Sequence, residues 1–232
     1  MAKYTSAYSS FVLRIDEVEI LRYSAGVKEK SDPIKMGSEI NALCRGAVVL
    51  LCGHLEAYIK ELGEVALNSI HSKAVSRNDL ALQFYYHISK DILDEVKDTN
   101  DPSKIANKLF DFLQSDYDLW GRTGPFPCPI PVDRFNKGFS NPAFGKVSAY
   151  FNRFGYLDYK KDVAHRLQAD YNATVNMVDH LVDTRNRIAH GDPAATKTPS
   201  DVKDMVKLIR TYCLATDAVF ASWCKRCLCS IR

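Results

Sequence analysis

Apolar residues recur with the period of an α-helix along nearly the whole of this 232-residue chain. The longest periodic stretch covers residues 37–70, and a second long stretch covers residues 160–190. No pair of segments alternates apolar and polar residues as a half-buried sheet does. Five shorter helical patterns cover residues 7–24, 79–97, 102–119, 141–155 and 201–228. The sequence therefore predicts one all-α domain over residues 1–232, a bundle of about six or seven helices with the two long ones as a central antiparallel hairpin.

Residues 120–141 interrupt the helical pattern. Glycine and proline at high density prevent regular structure in this segment. They are Gly121, Gly124, Pro125, Pro127, Pro129, Pro131 and Gly138. We therefore predict an irregular loop, and loops of this length are typically either functional or mobile.

The same loop combines aromatic and basic side chains. These are Trp120, Phe126, Phe135 and Phe139 together with Arg122, Arg134 and Lys137. Aromatic rings interleaved with cations can stack on and clamp unpaired nucleic-acid bases. The rings can equally attach the loop to the bundle, and the sequence leaves both interpretations open. The three basic residues are its candidate RNA-binding residues.

Charge and targeting signals narrow the class of protein. A formal net charge of +3 does not suit a strong nonspecific nucleic-acid binder, so any such binding needs a local patch. No segment reaches the ~18 consecutive apolar residues of a transmembrane helix. The first six residues contain no hydrophobic segment of a secretory signal, and the seven cysteines are an odd number. We therefore expect a reduced, cytoplasmic protein that has no membrane partner.

Three cysteines have part of the spacing of a metal site. Cys224, Cys227 and Cys229 would supply three of the four ligands that a structural zinc usually takes. No second pair of cysteines or histidines lies close to them in sequence. We interpret them as free thiols in a disordered segment, and we expect neither a metal ion nor a cofactor.

Reactive side chains are concentrated at one predicted helix end. Arg185, Asn186, Arg187 and His190 place two guanidiniums, an amide and an imidazole within six residues. An arginine can hold phosphate oxygens and stabilise the charge of phosphoryl transfer, and a histidine can move the proton of a hydroxyl group. Arg185 and His190 are about 140° apart on a straight helix, so they converge only if the last turn unwinds, as Gly191 would allow.

The same residues also have a structural interpretation. Cations in the last turn of a helix stabilise it through its macrodipole, typically by about 0.3–1 kcal/mol. Asp183 lies four residues before Arg187 and predicts an intrahelical ion pair with it. On spacing alone this interpretation is favoured over catalysis, because short motifs are weak signals.

The segment from Arg185 to His190 resembles the signature of the HEPN superfamily. Members carry an arginine, four to six residues and then a histidine, often with a polar residue such as Asn186 directly after the arginine. Residues 44–58 resemble the first core helix of RiboL-PSP-type HEPN domains, where an apolar run leads into a glutamate, here Glu56, and then an aromatic residue.

A third segment, residues 140–156, resembles the same group. It contains the group's Asn-Pro pair, here Asn141 and Pro142, and its Phe-Gly pair before the motif helix. The resemblance covers roughly residues 8–228. It implies an all-α, multi-helix HEPN-type bundle that forms a homodimer, with two Arg-to-His motifs facing each other across a shared cleft.

The resemblance further implies a metal-independent endoribonuclease whose partner is RNA. In that mechanism the RNA 2′-hydroxyl attacks the adjacent phosphate and leaves a 2′,3′-cyclic phosphate and a 5′-hydroxyl. Carried onto this chain, His190 is the general acid or base, Arg185 binds the phosphate and its transition state, and Asn186 positions one of them. Such proteins are frequent in toxin–antitoxin and anti-phage systems, which implies an antitoxin or operon-encoded partner. A noncatalytic RNA-binding or assembly subunit and a partner-regulated toxin remain alternatives.

Three more residues are expected to support this site. Glu56 lies in an apolar helix and needs a cation or hydroxyl partner if it is buried, and it could contact Arg185 or His190. Arg45 lies three turns earlier on nearly the same face, and Arg187 is the i,i+3 neighbour of His190. A structural pair is the simpler role for Glu56 and Arg45, and we expect neither to act directly in catalysis.

Overall fold

The computed structural model of the protein describes residues 3–232. Met1 and Ala2 lie outside the described residues. They belong to the N-terminal segment from which we predicted that the chain has no secretory signal. No strand occurs within residues 3–232, which confirms the all-α prediction. The helices in chain order are α1 (Ser6–Ser31), α2 (Gly37–Ser72), α3 (Leu82–Ile88), α4 (Lys90–Lys97), α5 (Pro102–Trp120), α6 (Val132–Asn136), α7 (Phe144–Asn152), α8 (Tyr159–Leu167), α9 (Tyr171–Ala189) and α10 (Pro199–Cys227).

The central hairpin is formed by α1 and α2, which pack against each other along their length. The rings of Phe11 and Tyr58 lie 5.3 Å apart near one end, and Lys28 pairs with Glu39 near the other. The prediction of a hairpin between residues 37–70 and 160–190 is therefore wrong. The second stretch is divided into α8 and α9 at Gln168, whose φ of +50° is incompatible with a continuous helix.

Two other helix boundaries differ from the prediction. α1 continues through Gly26 because one interior glycine costs only about 1 kcal/mol, and the neighbouring Ala25 is buried against the bundle. Residues 79–97 are divided at Ser89, whose hydroxyl donates to the buried carboxylate of Asp116 and accepts from Nε1 of Trp120. The breaks at Gln168 and Ser89, together with the additional helix α6, explain why residues 3–232 contain ten α-helices instead of six or seven.

The segment predicted as an irregular loop, residues 120–141, is tied to the bundle by its aromatic rings. Phe126, Phe135 and Phe139 are buried in the hydrophobic core, and their neighbours include Phe84 and Tyr150. Of the two interpretations of these rings, the structure favours the packing one. The loop also contains α6, so the prediction that the whole segment lacks regular structure is wrong in detail.

α2 is long and apolar enough to cross a membrane by length and composition alone. Half of its most apolar window is nevertheless buried inside the bundle. Leu51, Leu55 and Ile59 have no exposed surface. This burial is the pattern of a core helix.

A buried carboxylate joins residues from both ends of the described chain. Asp217 on α10 accepts a hydrogen bond from the hydroxyl of Thr5 and another from Nη2 of Arg232 at 2.9 Å. Burial raises the pKa of Asp217, and the contacts with Thr5 and Arg232 oppose that shift. Ile231 is buried, and Cys224 lies on α10 with its side chain in the hydrophobic core of the bundle. The prediction of a disordered segment here is therefore wrong.

α2 ends in a Schellman motif that carries alanine where glycine is usual. The amide of Val75 donates to the carbonyl of Ile70 at 3.0 Å, and the amide of Ala74, with φ of +51°, donates to that of His71 at 3.1 Å. Left-handed alanine costs about 1–2 kcal/mol. We expect Ala74→Gly to raise the free energy of unfolding by about 0.5–1 kcal/mol, measured by urea denaturation, because the entropy of unfolded glycine offsets part of the gain.

The matched control is Ala173→Gly, an exposed position inside α9. There the same substitution should lower the free energy of unfolding by about 1 kcal/mol, because the alanine is in an ordinary helical conformation. A loss of similar size at both positions would show that the left-handed conformation of Ala74 is not a source of strain.

Candidate functional site

α9 ends at Ala189, and His190, the last residue of the predicted motif, is its C-cap residue. The amide of His190 still donates to the carbonyl of Asn186 at 2.9 Å. Gly191, with φ of +78°, and Asp192 then close a Schellman motif, and only glycine adopts this backbone without steric cost. The last turn therefore does not unwind, and the condition under which the two side chains would converge is not met. Arg185 and His190 leave the helix about 140° apart.

Arg185 is half-buried and is held by two amide oxygens. Its Nη1 donates to Oδ1 of Asn141 and to Oδ1 of Asn186, both at 3.2 Å. Both acceptors are neutral, and within residues 3–232 no carboxylate lies at ion-pair distance from this guanidinium. The positive charge is thus fixed in place without being neutralised, which is what binding of an anion requires.

His190 presents its imidazole at the surface. Among the described residues, none forms a hydrogen bond with its ring nitrogens. The hydrogen bond of Asn186 is made to Arg185, so of the two roles expected for this amide the structure favours the positioning of the arginine.

Asn141 connects Arg185 to α2, and sequence reasoning missed it as a site residue. Its backbone N–H donates to Oε2 of Glu56 at 3.1 Å, and Nζ of Lys60 donates to the other oxygen of that carboxylate at 2.7 Å. Glu56 thus has the expected cation partner and is linked to Arg185 through Asn141. The Asn-Pro pair at the end of the loop was the available signal, since asparagine tolerates the positive φ found there, +54°.

Two other arginines hold the segment that follows α9. Nε of Arg187 donates to Oδ2 of Asp192 at 2.8 Å, so the predicted ion pair with Asp183 is wrong, because the turn at Gly191 folds Asp192 back beside the helix. Nη1 of Arg45 donates to the carbonyl oxygen of Asp192 at 2.8 Å. Both contacts support the backbone next to the motif without touching the imidazole.

Within the described residues, none of the three candidate RNA-binding residues of the loop forms a hydrogen bond or ion pair with the motif at the end of α9. Arg134 donates to both carboxylate oxygens of buried Asp116 on α5, and Lys137 pairs with Asp91 on α4 at 2.8 Å. Arg122 is exposed and forms no ion pair within the described part of the chain. These contacts lead toward α4 and α5 and not toward the end of α9.

A family model described as RiboL-PSP-HEPN matches residues 12–222, nearly the whole chain. The chain belongs to the RiboL-PSP-HEPN family. This match confirms the resemblance drawn from the sequence, and the motif helix lies within the matched residues. Neither a curated protein nor a solved structure matches the chain.

Beside the motif, this HEPN protein exposes an open apolar groove. The groove is lined by Arg45, Gly46, Val49, Leu50, Gly53 and His54 of α2 and by Ile188 of α9. Burial lowers the pKa of His54, although Glu17 at 3.2 Å opposes the shift. The lining is therefore uncharged near neutral pH except for Arg45, and it adjoins the helix that carries the motif.

The remaining reactive groups of the HEPN bundle do not form a metal centre in the part of the chain that the structure describes. No three His, Cys, Asp or Glu side chains within residues 3–232 are grouped so that they could hold a metal ion. Cys224 is buried, and burial raises the pKa of its thiol well above the ordinary value. It is therefore a poor nucleophile and metal ligand.

Proposed function

We propose that this HEPN protein is a metal-independent endoribonuclease whose active site is shared between two copies of the chain. Family membership supports the coarser part, because HEPN domains are often RNA-cleaving or RNA-binding domains. The observation that carries the finer part is the state of Arg185, which two amide oxygens fix while no described carboxylate pairs with it. A half-buried cation kept in this way is suited to a phosphodiester.

In the proposed reaction the RNA 2′-oxygen forms a bond to the adjacent phosphorus while the bond from phosphorus to the 5′-oxygen breaks. One His190 imidazole removes the proton of the 2′-hydroxyl, and a protonated imidazole returns a proton to the leaving 5′-oxygen. Arg185 binds the non-bridging phosphate oxygens and stabilises the negative charge that builds on them. The products are a 2′,3′-cyclic phosphate and a 5′-hydroxyl.

A homodimer would supply what one copy lacks. Arg185 and His190 leave α9 about 140° apart, so one helix does not direct both side chains at one phosphate. The apolar groove beside Ile188 is the surface next to the motif that a second copy would cover. We propose that the second copy docks on this surface, next to the helix that carries the motif.

The test is cleavage of a labelled structured RNA in EDTA, followed by analysis of the product ends. We expect cleavage that resists EDTA and leaves a 2′,3′-cyclic phosphate. The matched control is the same RNA with one 2′-deoxynucleotide at the mapped site, which should block cleavage there alone. Products that carry a 5′-phosphate would contradict the mechanism, and a monomer in light scattering at micromolar concentration would contradict the shared site.

One observation favours a second function. In a single copy no described residue orients the His190 imidazole, which also suits a subunit that binds RNA or assembles with a partner without cutting. Such a protein would bind the RNA with salt-dependent affinity and leave it intact.

For the active enzyme we propose a role as a cytoplasmic toxin or anti-phage factor. An antitoxin or operon-encoded partner would then cover the exposed end of α9 and control access to His190. In that setting, expression of the wild-type chain without its partner harms the host, and expression of the His190→Ala variant does not.

A further inference from the structure

Asn141 occupies an unusual backbone position between the long loop and α7. Its φ is +54°, in the left-handed region that few residues other than glycine, asparagine and aspartate adopt. Pro142 follows it, and the amide of Ala143 closes a tight turn by donating to the carbonyl of Asn141 at 2.7 Å. A side chain on such a turn points in a direction that the backbone determines.

The two ends of Asn141 bond to two different helices. Its backbone N–H donates to Glu56 on α2 at 3.1 Å, and its side-chain oxygen accepts from Nη1 of Arg185 on α9 at 3.2 Å. Glu56 is itself held by Lys60 one turn further along α2. A chain of hydrogen bonds therefore runs from the core helix through the loop to the guanidinium.

We propose that Asn141 is a positioning residue that holds Arg185 for the phosphate and leaves its charge available. This inference rests on the proposed ribonuclease function, because it assigns Asn141 a task in that reaction. Glu56 acts one step further away, by fixing the turn from which the amide oxygen is presented.

The neutral amide distinguishes this contact from the arginine–carboxylate pairs of the bundle, whereas arginines such as Arg45 and Arg153 donate to backbone carbonyls. Arg134, Arg187 and Arg232 each donate to a carboxylate, which cancels much of their charge. A carboxylate at position 141 would do the same to Arg185 and would compete with the phosphate for the guanidinium. An asparagine accepts the hydrogen bond without that competition.

Two substitutions at position 141 distinguish the contribution of the amide oxygen from that of the backbone turn. Asn141→Gly keeps the positive φ and removes the acceptor, so we expect kcat to fall roughly 10-fold as the guanidinium loses its alignment. Asn141→Asp keeps the turn and an acceptor but adds a charge, so we expect KM to rise roughly 10-fold. Gln168→Gly is the matched control, because Gln168 also has a positive φ and an exposed side chain, and its cleavage rate should match the wild type.

A double-mutant cycle shows whether Asn141 acts through Arg185. In an Arg185→Ala background, Asn141→Gly should change the residual rate by less than about 2-fold, because the group it positions is already absent. The proposal is overturned if Asn141→Gly cuts RNA with wild-type kcat and KM. It is also overturned if the loss is as large without Arg185 as with it.

NMR of the arginine side chains keeps this proposal separate from the ribonuclease proposal. Rotation about the Cζ–Nε bond of Arg185, assigned with Arg185→Lys, should be slower than that of exposed Arg166 and should become faster in Asn141→Gly. If the wild type cuts no RNA, the function proposal fails, and this measurement alone decides the role of Asn141. Rotation that is unchanged in Asn141→Gly overturns it, and faster rotation supports it.

Discussion

Replacing His190 with alanine is expected to lower the rate of RNA cleavage roughly 10³-fold, because the reaction loses the group that moves both protons. The fold should not change, since the imidazole is exposed and the turn after α9 depends on Gly191. The measurement is the single-turnover rate on a labelled RNA in EDTA, with circular dichroism and light scattering to verify the helices and the dimer.

His165→Ala is the matched control for that substitution. His165 is also an exposed histidine on a helix, but it lies on α8, away from the motif. Its variant should cleave at the wild-type rate. Cleavage by His190→Ala within a few-fold of the wild type would show that the motif is structural and that the proton moves elsewhere.

Replacing Arg232 with methionine is expected to lower the free energy of unfolding by roughly 3 kcal/mol at neutral pH. The substitution leaves the carboxylate of Asp217 fully buried without its cation, and an unpaired buried charge is strongly destabilising. Urea denaturation at several pH values measures the loss.

The pH dependence gives this second prediction a definite sign. Burial raises the pKa of Asp217, and removal of Arg232, which opposes that shift, raises it further. A carboxyl with a raised folded-state pKa stabilises the fold while it is protonated, and that stability is lost as the pH rises through the pKa. The cost of Arg232→Met should therefore be large at neutral pH and shrink under acidic conditions.

Arg226→Met controls for the loss of a cation from the same part of the chain. Arg226 lies 3.9 Å from Asp162 and is mostly exposed, and such pairs contribute little, about 0–1 kcal/mol. Equal losses for Arg226→Met and Arg232→Met, or a loss that grows toward acidic pH, would contradict the proposed role of Asp217.

The helices that sequence reasoning predicted best have either a clear start signal or a long unbroken periodicity. α5 begins at Pro102 after the capping residue Asp101, and α2 runs over nearly the predicted residues. The break at Gln168 was not predictable, because glutamine is a good helix former and neither glycine nor proline marks the position of its positive φ. Gly26 produced the opposite error, because the sequence predicted that α1 ends before it, whereas α1 continues to Ser31.

For the site, the sequence identified the motif but not its connections. Arg185 and His190 were recognisable because their spacing resembles a known signature, whereas the bond from Arg185 to Asn141 joins residues 44 positions apart. Arg187 was assigned to Asp183 by helical spacing, and the turn at Gly191 supplied Asp192 instead. Contacts of this kind depend on how loops return to a helix, which local periodicity does not encode.

Because α9 ends regularly, the number of residues between Arg185 and His190 determines the angle between their side chains around the helix axis. Because helical hydrogen bonding continues to the amide of the C-cap residue His190, each residue added between Arg185 and His190 would rotate the imidazole by about 100° and advance it by about 1.5 Å. Spacers of four, five and six residues would thus direct the histidine three different ways around the helix. Each direction demands a different docking angle of the second subunit, so spacer length and dimer geometry must change together.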